Sequence, residues 1–340
     1  MQKIRRYLNV VPGLLLAAVV AAAAKFLEGL LPIHLIGASV IALFIGMGLN
    51  ALRKPSALVA GGLRFTSKRV LKLAIILLGA SLSMGDILTV GRLSLMVMCF
   101  TLLTCFGGGY LVGRSLGLNW KLSNLISAGT GICGGSAIAA IAPVIDAQDR
   151  DIAYAMSATF LFDMVMILMF PFLGHWLGMS DMAYGLWAGT AVNDTSSVVA
   201  AGYAFSEAAG DFATMVKLTR TLSIIPTVLI FSVINVREKC RMNVAVEGER
   251  VNVLTLFPWL ILGFLGLALF NSVGLIPAAA SVFLKDLSKF LMVAALAAIG
   301  LNTDFREMQK AGLRPMLHGF IISALVVVVA LLVEMAMGLV

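Results

Sequence analysis

The chain has 340 residues, of which 60% are hydrophobic and only 12% charged, and its mean hydropathy is +1.01. An ordinary globular domain is about a quarter charged, so this composition excludes a soluble protein and predicts an all-α polytopic membrane protein. The net charge of +8 does not indicate nucleic-acid binding, because the basic residues fall in short clusters between apolar runs. We expect a single transmembrane domain over residues 1–340, with no soluble domain.

Apolar runs of about 20 residues, the length that crosses a bilayer core of about 30 Å, recur along the chain. They predict about eleven transmembrane helices, at roughly 11–31, 33–52, 69–90, 93–113, 122–146, 152–173, 183–205, 212–235, 254–271, 281–303 and 316–338. The first run is long and lacks a clear small-residue cleavage site. It therefore predicts a retained helix and not a signal peptide.

Lysine and arginine clusters precede the first predicted span and follow the second, fourth, eighth and tenth, with Arg114, Lys121 and Arg237 among them. Such clusters mark cytoplasmic loops. If eleven helices cross the membrane, all of these clusters fall on the same side of it. We therefore predict a cytoplasmic N-terminus and a C-terminus outside the cell. The acidic loop at 146–151 is expected on the opposite side from Arg114 and Lys121.

Two segments share residues at one constant offset. Ser67, Lys68 and Ala74 recur as Ser288, Lys289 and Ala295. The two copies are seven predicted spans apart and would cross the membrane in opposite directions, as an inverted-topology repeat requires. Chance matching of common membrane residues is the alternative.

The stretch 127–140 reads S-A-G-T-G-I-C-G-G-S-A-I-A-A, with four glycines and three hydroxyl side chains in an apolar setting. A glycine inside a helix costs about 1 kcal/mol relative to alanine, so the cluster needs an explanation. Either Gly131 and Gly135 let two helices pack closely, or the segment is a broken or re-entrant helix that faces a binding cavity. The candidate binding residues are Ser127, Thr130, Gly131, Gly134, Gly135 and Ser136.

Residues 188–200 repeat part of this motif, since A-G-T at 188–190 matches A-G-T at 128–130. Five consecutive polar residues follow inside an apolar span, where a carboxylate alone costs at least about 2.5 kcal/mol. The stretch could lie at a membrane surface, connect neighbouring helices through hydrogen bonds, or line a polar cavity. We favour the cavity, in which Asp194 pairs with a cation, a proton or a coupling ion. The candidate residues are Asn193, Asp194, Thr195, Ser196 and Ser197.

Two basic residues, Lys217 and Arg220, lie three positions apart in the eighth predicted span and so share a helical face. Snorkelling of Lys217 to the outer surface is the alternative. An arginine fork binds two oxygens of a carboxylate, sulfate or sulfonate at once, and two cations facing one aspartate leave a positive surplus that favours an anionic substrate. Asp163 and Asp194 are the candidate coupling residues, although Asp163 fits a structural ion pair with Lys217 equally well.

The remaining polar residues indicate no further chemistry. The cysteines show no paired spacing, the histidines have no second ligand at metal spacing, and no Walker A lysine follows the glycine motif. No nucleophile and base stand out as a pair. We therefore expect no metal, no cofactor and no enzymatic activity. Asp86 and Glu334, near the ends of predicted spans, are expected to be solvated.

Four motifs occur in this order: S-A-G-T-G-I-C-G-G-S-A-I-A-A-I-A-P-V-I, W-A-G-T-A-V-N-D-T-S-S-V-V-A-A-G, M-V-K-L-T-R-T-L and A-A-I-G-L-N-T-D-F. With them the chain resembles, over essentially its whole length, the YeiH-type family of bacterial inner-membrane proteins, to which sulfate export is ascribed. The family pattern often has histidine where this chain has Asn193. If that histidine takes part in proton coupling, the role does not transfer to this chain.

The resemblance implies a relationship to the fold group of the bile-acid symporters and sodium/proton antiporters. Those proteins have inverted repeats and discontinuous helices that cross at mid-membrane. The two A-G-T segments, however, are two predicted spans apart and would run the same way. Either one of them is re-entrant, or their likeness is convergent and the G-L-N-T-D-F region is the true crossing partner of the first.

Together these observations predict a secondary transporter of a small anion, such as sulfate or a sulfonate, that works by alternating access. A coupling proton or sodium ion and a homodimeric assembly stay open as partners, beside the lipid bilayer. An ion channel or a non-transporting membrane scaffold is the rival interpretation. A channel needs a polar stripe along several helices, whereas the polar residues here concentrate at one depth.

Overall fold

The computed structural model describes residues 10–30, 38–241, 259–302 and 312–340, and within these ranges the chain is helical without strands. The α-helices are α1 (Val11–Leu30), α2 (Ala38–Leu52), α3 (Ala57–Phe65), α4 (Leu71–Leu78), α5 (Met84–Leu103), α6 (Gly109–Ser115), α7 (Trp120–Ala128), α8 (Gly135–Ile141), α9 (Asp149–Trp176), α10 (Asp181–Ala191), α11 (Thr195–Phe205), α12 (Glu207–Thr221), α13 (Ile224–Arg241), α14 (Trp259–Ser272), α15 (Ala278–Asn302) and α16 (Leu313–Ala336). Short π-helical turns at Thr66–Val70, Thr104–Gly108 and Gly129–Cys133 follow α3, α5 and α7.

The described helices confirm the all-α membrane class. Five segments among them are long and apolar enough to cross a membrane: Val11–Leu30, Met84–Ser115, Arg150–Trp176, Glu207–Asn235 and Leu313–Ala336. Their outward faces carry large apolar side chains, which suits contact with lipid and not with water. Two of the eleven predicted spans prove to be hairpins, described below. The rest of the count stays a prediction, because 1–9, 31–37, 242–258 and 303–311, which include the T-D-F of G-L-N-T-D-F, lie outside the described residues.

The helices pack as two groups. In the first group, α1, α2 and α4 pack around α15, and α14 covers α4. Glycines bring α2 and α15 together backbone to backbone, since a Cβ on Gly46 would lie 2.5 Å from Ala297 O and one on Gly300 2.2 Å from Leu43 O. In the second group, α12 packs against α5, α10 and α11, and α16 packs against α9 and α10.

The two copies of the predicted 67/288 repeat, in the π turn with α4 and in α15, lie side by side. The Ser288 hydroxyl donates to Ala74 O at 2.6 Å. Their inverted relationship stays a prediction.

Residues 120–146 form a re-entrant hairpin, which we call hairpin 1. Its first arm, α7, passes into the π turn, and Gly134 with φ +64° ends that turn before α8 begins. Lys121 Nζ donates to Asp146 O at 2.8 Å. In one straight helix these residues would be about 37 Å apart, so the chain has turned back. Both ends of hairpin 1 therefore lie at one end of the bundle.

Residues 181–205 form a second re-entrant hairpin, hairpin 2. The rings of Tyr184 and Phe205 stack at 4.0 Å, and the Tyr184 hydroxyl donates to Ala201 O at 2.9 Å. The first arm, α10, thus runs antiparallel to the second, α11, and the tip is the extended stretch at 192–194. Helix α9, 28 residues and about 42 Å long, leads from the base of hairpin 1 to the base of hairpin 2. The two hairpins therefore enter from opposite ends of the bundle.

Two predictions from the sequence are corrected here. The predicted spans 122–146 and 183–205 do not cross the bundle; each is a hairpin of two short arms, so both A-G-T segments are re-entrant and they run in opposite directions. The loop at 146–151 lies at the same end as Lys121, not opposite to it. Counting hairpin 1 as a crossing moved the segment between the two hairpins to the wrong side. Counting hairpin 2 as a crossing as well restored the predicted sides of the segments that follow it.

Two ion pairs join the helix groups at the end where hairpin 2 enters. Lys285 Nζ lies 3.2 Å from Asp211 Oδ2, and Lys289 Nζ lies 2.5 Å from Glu207 Oε2. The lysines belong to α15 in the first group and the carboxylates to α12 in the second. These pairs close the groups against each other at this end.

Candidate functional site

The tips of the two hairpins meet inside the bundle. A Cβ placed on Gly134, in the tip of hairpin 1, would lie 2.9 Å from Asp194 Oδ1 and 3.2 Å from Asp194 Cα, in the tip of hairpin 2. Gly134 has the left-handed φ of +64° with ψ −134°, a conformation that side chains disfavour. Glycine is therefore needed here both for the turn and for the approach of the second tip.

Backbone carbonyls at both tips are held by the two basic side chains of α12. Lys217 Nζ donates to Ile132 O at 2.8 Å and to Val192 O at 3.0 Å. Arg220 donates from Nε to Gly131 O at 2.7 Å, from one terminal nitrogen to Val192 O at 3.2 Å, and from the other to Thr130 O at 2.5 Å. The last carbonyls of a helix have no partner in the helix itself, so these bonds satisfy the broken ends of both first arms.

The amides at the tip of hairpin 2 are held by a carboxylate of α9. Asp163 Oδ1 accepts from the Asn193 amide at 3.0 Å, and Asp163 Oδ2 accepts from the Asp194 amide at 3.2 Å. Asp194 in turn caps α11, since its carboxylate accepts from the Ser196 amide at 2.9 Å and from the Ser196 hydroxyl. The tip of hairpin 1 is thus held by α12, the helix that follows hairpin 2. The tip of hairpin 2 is held by α12 and by α9, the helix that follows hairpin 1.

Among the described residues, four charged side chains lie at this site, and their formal charges balance. Lys217, Arg220 and Asp163 are buried, with exposed fractions of 0%, 1% and 1%, whereas Asp194 is half-buried. Snorkelling of Lys217 is therefore wrong, because its ammonium lies at the tips. The predicted positive surplus is also wrong, since Asp163 adds a second carboxylate to the pair of cations. A net positive charge arises only when one carboxyl takes up a proton.

The other predicted site residues lie at different places around the tips. Ser127 is buried one turn before the tip and donates to Ser123 O at 2.9 Å, while Gly131 packs against Cys105. Ser136 is exposed, Thr195 and Gly135 are half-buried, and Ser197 is buried. The structure does not bring Ser127, Ser136 or Ser197 into hydrogen-bonding contact with the charged groups. Their role in binding stays a prediction.

Two polar atoms at the tips are buried and make no hydrogen bond within the described structure. They are Thr130 Oγ1 in hairpin 1 and Asn193 Oδ1 in hairpin 2. Asn193 Nδ2 reaches the Ser323 hydroxyl of α16 at 3.4 Å. An unpartnered buried polar group is costly, so such atoms mark places where a bound species gains binding energy.

Sequence reasoning missed two polar residues of α16. Ser323 touches Asn193, and its only signal was a hydroxyl in the apolar stretch between His318 and Glu334. Glu334, which we expected to be solvated, is fully buried, and neither of its carboxyl oxygens has a hydrogen-bond partner among the described residues. Proximity to a helix end was a poor guide to its exposure.

Replacing Asp163 with asparagine is expected to loosen the tip of hairpin 2. The asparagine carbonyl can accept one of the two amides, but its NH₂ group would point a donor at the other. We expect a loss of about 1–3 kcal/mol in the free energy of unfolding, measured by denaturant titration of the purified protein. Asp286→Asn, at an exposed position of α15, is the matched control and should change little. Equal stability of both variants would contradict the assignment.

The chain is similar to known proteins over nearly its whole length. The sequence profile of the family described as "Conserved hypothetical protein 698" matches residues 12–319. A "UPF0324 membrane protein" of Clostridium tetani is 57% identical over 334 residues, covering 96% of this chain and 97% of the relative. Proteins of the same description from Streptococcus pyogenes and Streptococcus pneumoniae are 40% and 38% identical, and the matches cover 98% and 96% of this chain and 99% and 97% of the relatives.

These matches agree with the helical architecture and with the apolar outward faces of the described helices. The relatives are named as membrane proteins, and several described helices are long enough to cross a bilayer. The protein is thus a multi-pass membrane protein, and it belongs to the UPF0324 family, which is the YeiH-type family that its four motifs resemble.

Proposed function

We propose that the protein is a secondary transporter that carries a small oxyanion, such as sulfate or a sulfonate, by alternating access at the hairpin tips. The single observation that carries the proposal is the meeting of two oppositely directed hairpin tips around buried charges. Broken helices of this kind place helix ends and unwound backbone at mid-membrane, where transporters bind their substrates. A scaffold has no need of so costly an arrangement.

The cations at the tips retain donors for an anion. An ammonium has three N–H groups and a guanidinium five. The bonds described above leave one N–H of Lys217 and two of Arg220 without an acceptor among the described residues. The Thr130 hydroxyl is a further unpartnered donor. An oxyanion offers several acceptor oxygens to such a set.

Charge balance favours a proton as the ion that binds and moves together with the anion. With both carboxylates ionised the site is neutral, so an anion would add an uncompensated buried charge. Protonation of Asp194, the more accessible of the two carboxyls, leaves one positive charge, which balances the charge of a sulfonate and half of the charge of sulfate. Anion and proton then bind favourably together, and a proton gradient can drive the anion. By this account Asp194 is the coupling residue and Asp163 holds the tip.

The two hairpins are packed differently, which supports alternating access. The second arm of hairpin 2 lies against α2 and α15 of the first helix group. The second arm of hairpin 1 packs instead against α9 and α13, and Ser136, Ala139 and Pro143 on it are exposed. Access to the tips in this conformation would come from the hairpin 1 end, while the Lys285 and Lys289 ion pairs close the other end.

The distribution of basic residues supports a cytoplasmic position for the hairpin 1 end. Arg114, Lys121, Arg150 and Arg237 lie at this end, whereas Lys285 and Lys289 at the other end are paired with carboxylates. Basic loops stay in the cytoplasm. The access described above is then inward, the N-terminus is cytoplasmic and the C-terminus outside, in a bacterial inner membrane.

The experiment is flux in proteoliposomes that contain the purified protein. We expect radiolabelled sulfate or a radiolabelled alkanesulfonate to accumulate when a pH gradient is imposed, to saturate with concentration, and to exchange faster when unlabelled anion is present on the far side. A channel would show flux without that exchange. Flux no greater than in empty liposomes under any gradient would discard the transporter proposal. Asp194→Asn should abolish the pH dependence, whereas the exposed Asp286→Asn should retain it.

A further inference from the structure

Four backbone carbonyls from two separate hairpins converge on the side chains of one helix. Three belong to hairpin 1 and one to hairpin 2: Thr130, Gly131, Ile132 and Val192. Lys217 Nζ joins the tips through a single nitrogen, at 2.8 Å and 3.0 Å from one carbonyl of each hairpin. The Lys217 side chain is fully buried beside the Arg220 guanidinium, and Asp163 and Asp194 are the carboxylates within its electrostatic reach.

This arrangement has the chemistry of a cation site. Carbonyl and carboxylate oxygens are the ligands that hard cations prefer, and unwound backbone carbonyls at broken helices coordinate Na⁺ in transporters. In this protein the same oxygens accept hydrogen bonds from nitrogen. A metal cation among them would add a third positive charge next to the ammonium and guanidinium. Among the described residues, no carboxylate besides Asp163 and Asp194 lies at the tips to balance it.

We propose that Lys217, supported by Arg220, is a built-in substitute for a coupling sodium ion. Its ammonium holds the two tips together as a bound monovalent cation would, so neither the stability of the tips nor transport depends on Na⁺. Lys217 acts here as a positioning residue. The inference about coupling rests on the proposed transport function, whereas the inference about tip stability does not.

The roles of the two basic residues differ. Arg220 spreads three bonds over a plane, and no single ion reproduces that geometry. Lys217 is a point charge on a flexible stem, so shortening its side chain leaves space for a small cation beside Ile132 O and Val192 O. The substitution that tests the proposal is therefore at Lys217.

The first measurement uses the unmodified protein in detergent and needs no substrate. Its melting temperature should be the same in NaCl, KCl and choline chloride of equal ionic strength. A rise of more than about 3 °C in NaCl alone would overturn the proposal, because it would reveal a sodium site that stabilises the folded state. In proteoliposomes, a proton-driven sulfate flux that needs Na⁺ would overturn the inference about coupling.

The second measurement is chemical rescue of Lys217→Ala. The variant should melt at a lower temperature than the unmodified protein, and ethylammonium or Na⁺ should restore part of the loss, whereas ethanol at the same concentration should not. Lys217→Met, which keeps an apolar stem, should respond less to ethylammonium. Lys285→Ala, which removes a half-exposed ion pair, is the control and should show no rescue. Absence of cation-specific rescue in Lys217→Ala would overturn the proposal, as would equal rescue of Lys285→Ala.

These results separate two kinds of failure. If no anion is transported, the proposed function fails, and the melting temperatures still decide whether an ammonium fills a cation position. If the anion is transported in a sodium-dependent manner, the proposed function stands and the substitute-cation inference fails. If Lys217→Ala does not fold, the sodium response of the unmodified protein decides.

Discussion

Gly134→Ala is expected to abolish anion flux and to lower the melting temperature strongly. Gly134 has φ +64° and ψ −134°, and a side chain in such a region costs about 1–3 kcal/mol. The added methyl would also lie 2.9 Å from Asp194 Oδ1, closer than real Cβ atoms come to other atoms. It would lie 3.0 Å from Asp194 Cβ and 3.2 Å from Asp194 Cα, which are tighter than most real Cβ contacts. The hairpin tips would have to separate, which would pull carbonyls and amides away from Lys217, Arg220 and Asp163.

The matched control is the next residue. A Cβ on Gly135 would meet no atom within 4 Å, and the position begins α8, where alanine favours the helix. Gly135→Ala should therefore keep both flux and melting temperature near those of the unmodified protein. Thermal unfolding and sulfate flux in proteoliposomes measure both variants. Similar behaviour of the two would mean that the tips do not need the close approach described here.

Arg220→Gln is expected to have the second large effect. The variant loses the bonds to Thr130 O, Gly131 O and Val192 O. Val192 O keeps Lys217 as a donor. The Thr130 and Gly131 carbonyls lose their side-chain partner, at a cost of about 1–3 kcal/mol each. The variant also removes one of two buried cations and leaves two carboxylates facing Lys217, a change of the kind that costs about 3–5 kcal/mol in total. We expect a lower free energy of unfolding and loss of anion flux.

Two comparisons sharpen this prediction. Arg237→Gln removes an exposed arginine from the next helix, α13, and should change stability by about 0.5 kcal/mol at most. Arg220→Lys keeps the charge but cannot reach three carbonyls with a planar fork, so it should remain impaired. Normal anion flux in Arg220→Gln would discard the placement of the substrate at these tips.

The sequence predicted the break in the first hairpin because glycine and hydroxyl residues are out of place in an apolar helix. It could not predict the direction of the chain after the break. Twenty-five apolar residues look the same whether they form one crossing or two arms of about ten residues. The return is decided by tertiary contacts such as that of Lys121 with Asp146, which hydropathy does not encode.

The sequence identified the charged residues of the site but not the hydrogen bonds that connect them to the hairpin tips. Spacing showed that Lys217 and Arg220 share a helical face, and this was enough to identify them as a pair. Their actual partners are backbone carbonyls, which every residue carries, so no pattern of side chains could indicate them. Asp163 was a lone carboxyl in the sequence, and its amide partners follow it by 30 and 31 positions.

The long-range bonds of the first hairpin constrain the order of assembly during synthesis. Its tip carbonyls bond to side chains that follow them by 85 to 90 positions. The ribosome therefore completes hairpin 1 well before it makes the helix that holds its tip. Until α12 emerges, those carbonyls need water or the insertion machinery as partners, since lipid offers none. A chain that ends before Glu207 would lack both basic side chains and could not bury the tip. Hairpin 1 is thus the first of the two hairpins to be synthesised, and it can be buried only after hairpin 2 and α12 have followed.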